Sequence, residues 1–332
     1  MIYNNTRFQV ADLLHVWSEP EGGSDVVTLV VKATFSILED GRCVPAEEQV
    51  AIRYNEELTG EKDDAPSALL PADVVPEKHG SDVIVSGYAY FDAGATQVTT
   101  NVQIGDVSAP LLVHGPRYFE SVLGSVRIGA AQRVDRVPLV YEKAYGGMSE
   151  DLQHVEERNP AGVGVASNAK LLDGKPAPQI EHPNKLHQSG KDSHAPVGYA
   201  PIMPHWEPRR SHFGTLDDSY FKQRMPLLPK DFSLRYHNQA HPSLVLNRRL
   251  QAGETLNLLG VTPERLLRFQ LPAWPLTIRA FRDQGPTELR RPAPDTVIVQ
   301  PENSRVEMVL RERYRLLRSN PLRELQVDAV AA

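Results

Sequence analysis

Residues 26–37 (Val-Val-Thr-Leu-Val-Val-Lys-Ala-Thr-Phe-Ser-Ile) are β-branched and apolar on both faces. Such a run predicts a buried strand. Asp40-Gly41 supplies a turn, and Cys43 to Tyr54 is expected to return as the partner strand. Asn55 to Leu69 is polar, and its charge run Glu61-Lys62-Asp63-Asp64 reads as a solvated loop. Ser81 to Tyr90 is a further strand, and Thr96 to Ile104 alternates Val98, Thr100, Val102 and Ile104 on one face. Gly105-Asp106 turns this strand back into Ala109 to His114, and Val122 to Ile128 and Val134 to Val140 add two short strands. Helical periodicity is scarce.

From Tyr141 to Arg235 the texture changes. Pro, Gly, Asn, Asp and His dominate, with almost no hydrophobic period. Long loops of this kind in compact proteins are functional or disordered. Tyr145, Tyr199, Trp206, Phe213, Tyr220 and Phe221 argue for order, because disordered segments lack aromatics. A short helix is expected over Ser219 to Arg224, capped by Asp217 or Asp218. Strands then resume at Ser243–Leu250, Glu254–Gly260, Leu266–Leu271, Pro275–Asp283 and Thr296–Val299. Arg305 to Leu317 alternates as a strand at first, while its second half also suits a helix. The fold class is therefore mainly β: an antiparallel β-sandwich or open barrel with a long ordered loop region and little helix. The chain divides by texture into 1–140, 141–235 and 236–332, which one continuous domain can hold.

Composition narrows the function classes. The chain has 332 residues, ordinary globular hydrophobicity and a net charge of −6. That balance argues against nucleic-acid binding through phosphate neutralisation. A single cysteine, Cys43, excludes an internal disulfide and points to a reducing compartment. No secretory signal is expected at the N-terminus, and no apolar run is long enough to cross a bilayer. The expectation is a cytoplasmic protein.

The chemical motifs that would announce an enzyme are absent: no nucleophile elbow, phosphate loop, dinucleotide fingerprint, His-Glu-x-x-His or Cys-x-x-Cys. His154, His182, His187, His194, His205 and His212 crowd the loop region, with His237 and His241 following. With Asp192 or Asp217 they could ligate a metal, but their spacing is irregular, and histidines capping turns explain it better. No metal or cofactor is expected. Glu142, Glu181, Asp217 and Asp231 could supply the two carboxylates of a glycosidase; beside Gly, Pro and Asn, however, acidic residues ordinarily form turns. Cys43 reads as a small core residue. The pairs Arg209-Arg210, Arg248-Arg249 and Arg290-Arg291 suit surface ion pairs as well as anion grips.

Nine phrases carry a resemblance that runs through residues 26 to 300. They include Val31-Lys32-Ala33-Thr34-Phe35, Pro71-Ala72-Asp73-Val74-Val75-Pro76-Glu77-Lys78, Ala144-Tyr145-Gly146-Gly147 and Asn159-Pro160-Ala161-Gly162-Val163-Gly164. Pro178 to Pro183, Pro196 to Ile202, Trp206 to Arg209, Gly214 to Asp217 and Pro226 to Phe232 follow in order. Together they resemble a bacterial family first catalogued as a domain of unknown function and later assigned to type VI secretion. The resemblance implies a non-enzymatic adaptor or chaperone. Its partners would be a secreted effector or spike-tip protein and the trimeric spike, with no nucleic acid and no membrane. Trp206, Arg209 and Tyr145 are the expected partner contacts, because aromatics and Arg make interface hot spots. Gly146, Gly147, Gly162 and Gly164 are expected to need a positive φ. Asn159, Asp217 and Asp231 complete the structural signature. The alternative is a β-rich hydrolase of cell-wall sugar or peptide, using the loop carboxylates and histidines.

Overall fold

The computed structural model describes residues 1–19, 22–60, 66–274 and 276–329. The charge run at 61–64 lies outside the described residues. The Gly22–Ile37 strand is the hub of a seven-stranded sheet. Gln9–Glu19 pairs on one side of it and Arg305–Arg315 on the other, and Thr296–Gln300, Ser81–Val85 and Val245–Leu246 continue outward. Cys43–Pro45 pairs with its C-terminal end. A five-stranded sheet holds Ile180–Glu181, Val107–His114, Gln97–Ile104, Thr255–Leu259 and Leu266–Gln270 in that order. A four-stranded sheet holds Ile2–Asn4, Leu322–Ala329, Leu276–Arg282 and Glu288–Arg290. Most pairings are antiparallel. Ser81–Val85 with Thr296–Gln300 and Ile2–Asn4 with Leu322–Ala329 are parallel. The chain is thus mainly β and sandwich-like, and among the described residues no sheet closes into a barrel.

One apolar cluster joins the three sheets. Val31 and Phe35, Val102 and Leu256, and Ile278 and Val327 all belong to it. Burial on both faces explains why residues 26–37 lack alternation, while Gln97–Ile104 alternates buried and exposed positions.

Several expected strands differ in extent. Only Cys43–Pro45 pairs with the hub; beyond it the Gln49 side chain takes over, accepting from Thr34 N and donating to Thr34 O. Ser81–Tyr90 breaks at Ser86-Gly87, where the chain leaves the large sheet and Tyr88–Tyr90 pairs with Arg136–Pro138. Val122–Ile128 is a hairpin, Phe119–Val122 with Ser125–Ile128, turning at Leu123-Gly124, both with positive φ. Arg305–Arg315 is strand throughout, in register with the hub as far as Arg315 opposite Val26.

A buried ion network crosses the hub. Lys32 Nζ lies 2.8 Å from Asp73 and 2.9 Å from Glu307, and Arg53 reaches the same two carboxylates at 3.2 and 2.6 Å. A second buried group ties Lys78 to Asp82, Gln239 and Thr296. Asp73 and Lys78 both lie in the phrase Pro71 to Lys78, so this phrase locks the large sheet to the loops over it.

Candidate functional site

The loop region is built around a knot. Tyr145–Gly146 and Val163–Gly164 form a two-residue parallel ladder. Asn159 is fully buried between them; its Nδ2 donates to Tyr141 O and Tyr145 O at 2.9 Å each, and its own O accepts from Gly147 N and Gly162 N. Gly147 and Gly164 have φ of +97° and +110°. Gly162 does not require positive φ, which corrects the expectation for it. Its constraint is space: a Cβ there would meet Asn159 Nδ2 at 2.5 Å and Ala144 O at 2.7 Å.

Tyr145 stacks on His187 with ring centroids 4.6 Å apart. The His187 Nε2 accepts from His194 N at 3.3 Å, which places its proton on Nδ1, donated to Glu181 at 2.8 Å. His114 and Arg117 reach the other oxygen of Glu181 at 3.0 and 2.7 Å. Burial pushes the Glu181 carboxyl up, but the hydrogen bonds from His114 and His187 and the Arg117 charge outweigh it and hold the group far below the usual range.

The three residues expected to meet a partner face inward. Trp206 is 2% exposed and packs edge-on to Tyr141. Arg209 is 4% exposed and donates to Ile202 O at 2.6 Å and Tyr236 O at 2.9 Å. Tyr145 is buried over His187. They secure loops to one another, and this burial revises their reading as direct contacts.

Of the carboxylates proposed for hydrolysis, Glu142 and Glu181 are buried apart from the exposed pair Asp217 and Asp231. Glu142 is buried and accepts from Thr59 and Ser67. Asp217 caps a helix, and Asp231 accepts from Thr215 N and Oγ1. Among the described residues, no three His, Cys, Asp or Glu side chains converge as metal ligands would. Burial raises the Cys43 thiol to about 11, which keeps it protonated. Arg248 pairs with Glu254, Arg249 with Asp295, and Arg290 with Glu288 and Glu312.

An exposed crest runs from Gly214 to Asp231. The Asp231 carboxylate holds its base through Thr215, and Gly214 (φ +98°) leaves room for that carboxylate. Helix α1 is Arg209–His212 and helix α2 is Asp218–Gln223. Asp217 caps α2 by accepting from Tyr220 N at 2.8 Å. On this frame Leu216, Phe221 and Met225 are 51%, 56% and 63% exposed. Beside them lies a cleft of about 530 Å³ lined by Asp217, Tyr220, Arg224, Leu227, Lys230 and Asp231. Sequence reasoning passed over Phe221 and Met225 as contacts. The available signal was three large apolar residues inside ten positions of a polar loop with no amphipathic partner.

No curated protein and no solved structure matches the chain. The model of a family described as "Uncharacterized protein conserved in bacteria (DUF2169)" matches residues 22–311, from the hub strand through its partner at 305–311. The nine phrases, the knot and the crest all fall within that span, and the chain belongs to this bacterial family.

Proposed function

We propose that the chain is a cytoplasmic adaptor. It binds a type VI secretion effector or spike-tip protein and helps load it onto the trimeric spike. The observation that carries this reading is the crest: Leu216, Phe221 and Met225 stand in solvent on a loop that is rigidly braced at both ends. Large apolar side chains standing in solvent among polar groups are a feature of protein docking surfaces. A braced crest also costs little ordering entropy on binding. The hydrolase alternative needs two carboxylates open to a substrate. Glu142 and Glu181 are buried in hydrogen bonds, and Asp217 and Asp231, though both line the exposed cleft, each accept from backbone N–H groups of their own loop.

The test is affinity purification of the tagged chain from its native cytoplasm, with bound proteins identified by mass spectrometry. Recovery of an effector or spike-tip protein is expected, and Phe221→Asp with Met225→Asp should reduce it at least tenfold, with the melting temperature unchanged. Recovery that is indifferent to both changes would move the docking surface elsewhere, and a preparation free of either partner would remove the adaptor reading.

A further inference from the structure

A pocket of about 150 Å³ opens between α1 and the Leu234–His237 turn. Its titratable lining is His79, Arg209, His212 and Arg235, with no carboxylate. This is a local excess of positive charge on a chain of net charge −6. Arg209 spends Nε and Nη1 on two backbone carbonyls, and its ion-pair partner, Glu56, stands 4.0 Å away, beyond hydrogen-bond reach. Burial, then the Arg235 charge, holds His212 below its ordinary pKa against the opposing pull of Glu207, which places Arg235 and one carboxylate outside the lining near the same opening. Asn238 lines the pocket too and is 5% exposed. Its Nδ2 is committed to Asp82 Oδ1 at 2.8 Å and Gly80 O at 3.3 Å, which fixes this part of the pocket wall.

We propose that this pocket receives a carboxylate of a partner polypeptide, gripped by the exposed Arg235 guanidinium, with the buried Arg209 behind it adding positive charge to the wall. Arginine forks match carboxylates in charge and shape. A cavity of this size holds a group as large as a benzene ring, so it admits one acidic side chain or one chain end. The inference deepens the adaptor reading and rests on it only for the carboxylate's being carried by a polypeptide.

The full chain is titrated with three small probes. N-acetyl-glycyl-glycine carries a chain-end carboxylate, N-acetyl-glutamyl-glycinamide a side-chain carboxylate, and N-acetyl-glycyl-glycinamide none. Binding is followed through the His212 ring and arginine Nε–H resonances. At least one of the two acids is expected to shift both sets while the neutral probe shifts neither, and the acid that binds identifies the source of the carboxylate. Arg235→Gln should weaken binding on the order of tenfold. Arg209→Gln also removes two backbone hydrogen bonds, so the exposed Arg235 carries the test. The proposal is overturned if neither acid binds, or if Arg235→Gln binds as well as the parent. A chain that binds an acid but recovers no effector or spike-tip protein keeps the pocket and loses the adaptor.

Discussion

Glu181 receives His114, Arg117 and His187 together, and Glu307 receives Lys32 and Arg53. For both carboxyls burial pulls upward, and the cationic and hydrogen-bonding neighbours win, leaving each pKa depressed. A depressed folded-state pKa contributes stability that is present above the unfolded value, about 4.3 for Glu, and lost as pH falls below it. Burial likewise holds the His237 and His241 imidazoles at about 4, so urea midpoints should begin to fall as pH drops below about 6.5, where the unfolded chain protonates them, and fall more steeply below about 4, where the carboxyls protonate. Glu181→Gln should flatten part of that fall, and at neutral pH it should cost about 3–5 kcal/mol, because Arg117 is left buried without its charge partner. The glycines separate two kinds of constraint. Gly162→Ala meets Asn159 Nδ2 and Ala144 O at once, and should cost about 3 kcal/mol or more by chemical denaturation. Gly174→Ala has open space around it and a φ of +75°, so it should cost only about 1–2 kcal/mol. At this scale the sequence marked the right glycines but not the reason at Gly162, since a contact with Asn159 is invisible to local pattern. It also marked Trp206 and Arg209 for chemistry that suits an interface, while their burial is decided by Tyr141, Ile202 and Tyr236.

Elements were legible where one face meets water. Gln97–Ile104 announces itself by alternation and pairs as expected. Gln9–Glu19 did not: Val10, Leu13, Leu14 and Trp17 recur at helical spacing, and the segment is a strand because eleven successive residues pair with the hub. Six of the eight residues of Leu322–Ala329 are helix formers (Leu, Arg, Glu, Gln and Ala), yet two neighbouring strands impose extension on it. The short helix α2 was legible through its cap, and it begins one residue earlier, at Asp218. The cap supports the crest locally. Asp217→Ala should cost about 1 kcal/mol, confined to α2. The amide of Tyr220, whose bond to the Asp217 carboxylate is lost, should exchange faster, with little change in the global melt.

At the scale of the whole molecule, every large sheet takes strands from both ends of the chain. Ser81–Val85 lies beside Thr296–Gln300, Gln97–Ile104 beside Thr255–Leu259, and Gly22–Ile37 beside Arg305–Arg315. A fragment ending at residue 140 lacks these neighbours, and should show neither a cooperative thermal transition nor dispersed amide resonances. Such long-range pairing was the least legible feature, because the polar residues that lock it, Lys32, Asp73, Lys78 and Glu307, meet only after folding. The hub strand has one further consequence, in time. Its second neighbour begins at Arg305, about 270 residues after the hub ends at Ile37. Synthesis at about 5–20 residues per second then takes roughly 13–55 s to supply it. Throughout that interval the paired neighbours of a strand apolar on both faces are the Gln9–Glu19 hairpin partner and the short Cys43–Pro45 segment at its end. The nascent chain is therefore a substrate for holdases before it is a folded protein, because residues 26–37 stay partly uncovered until the last strands emerge.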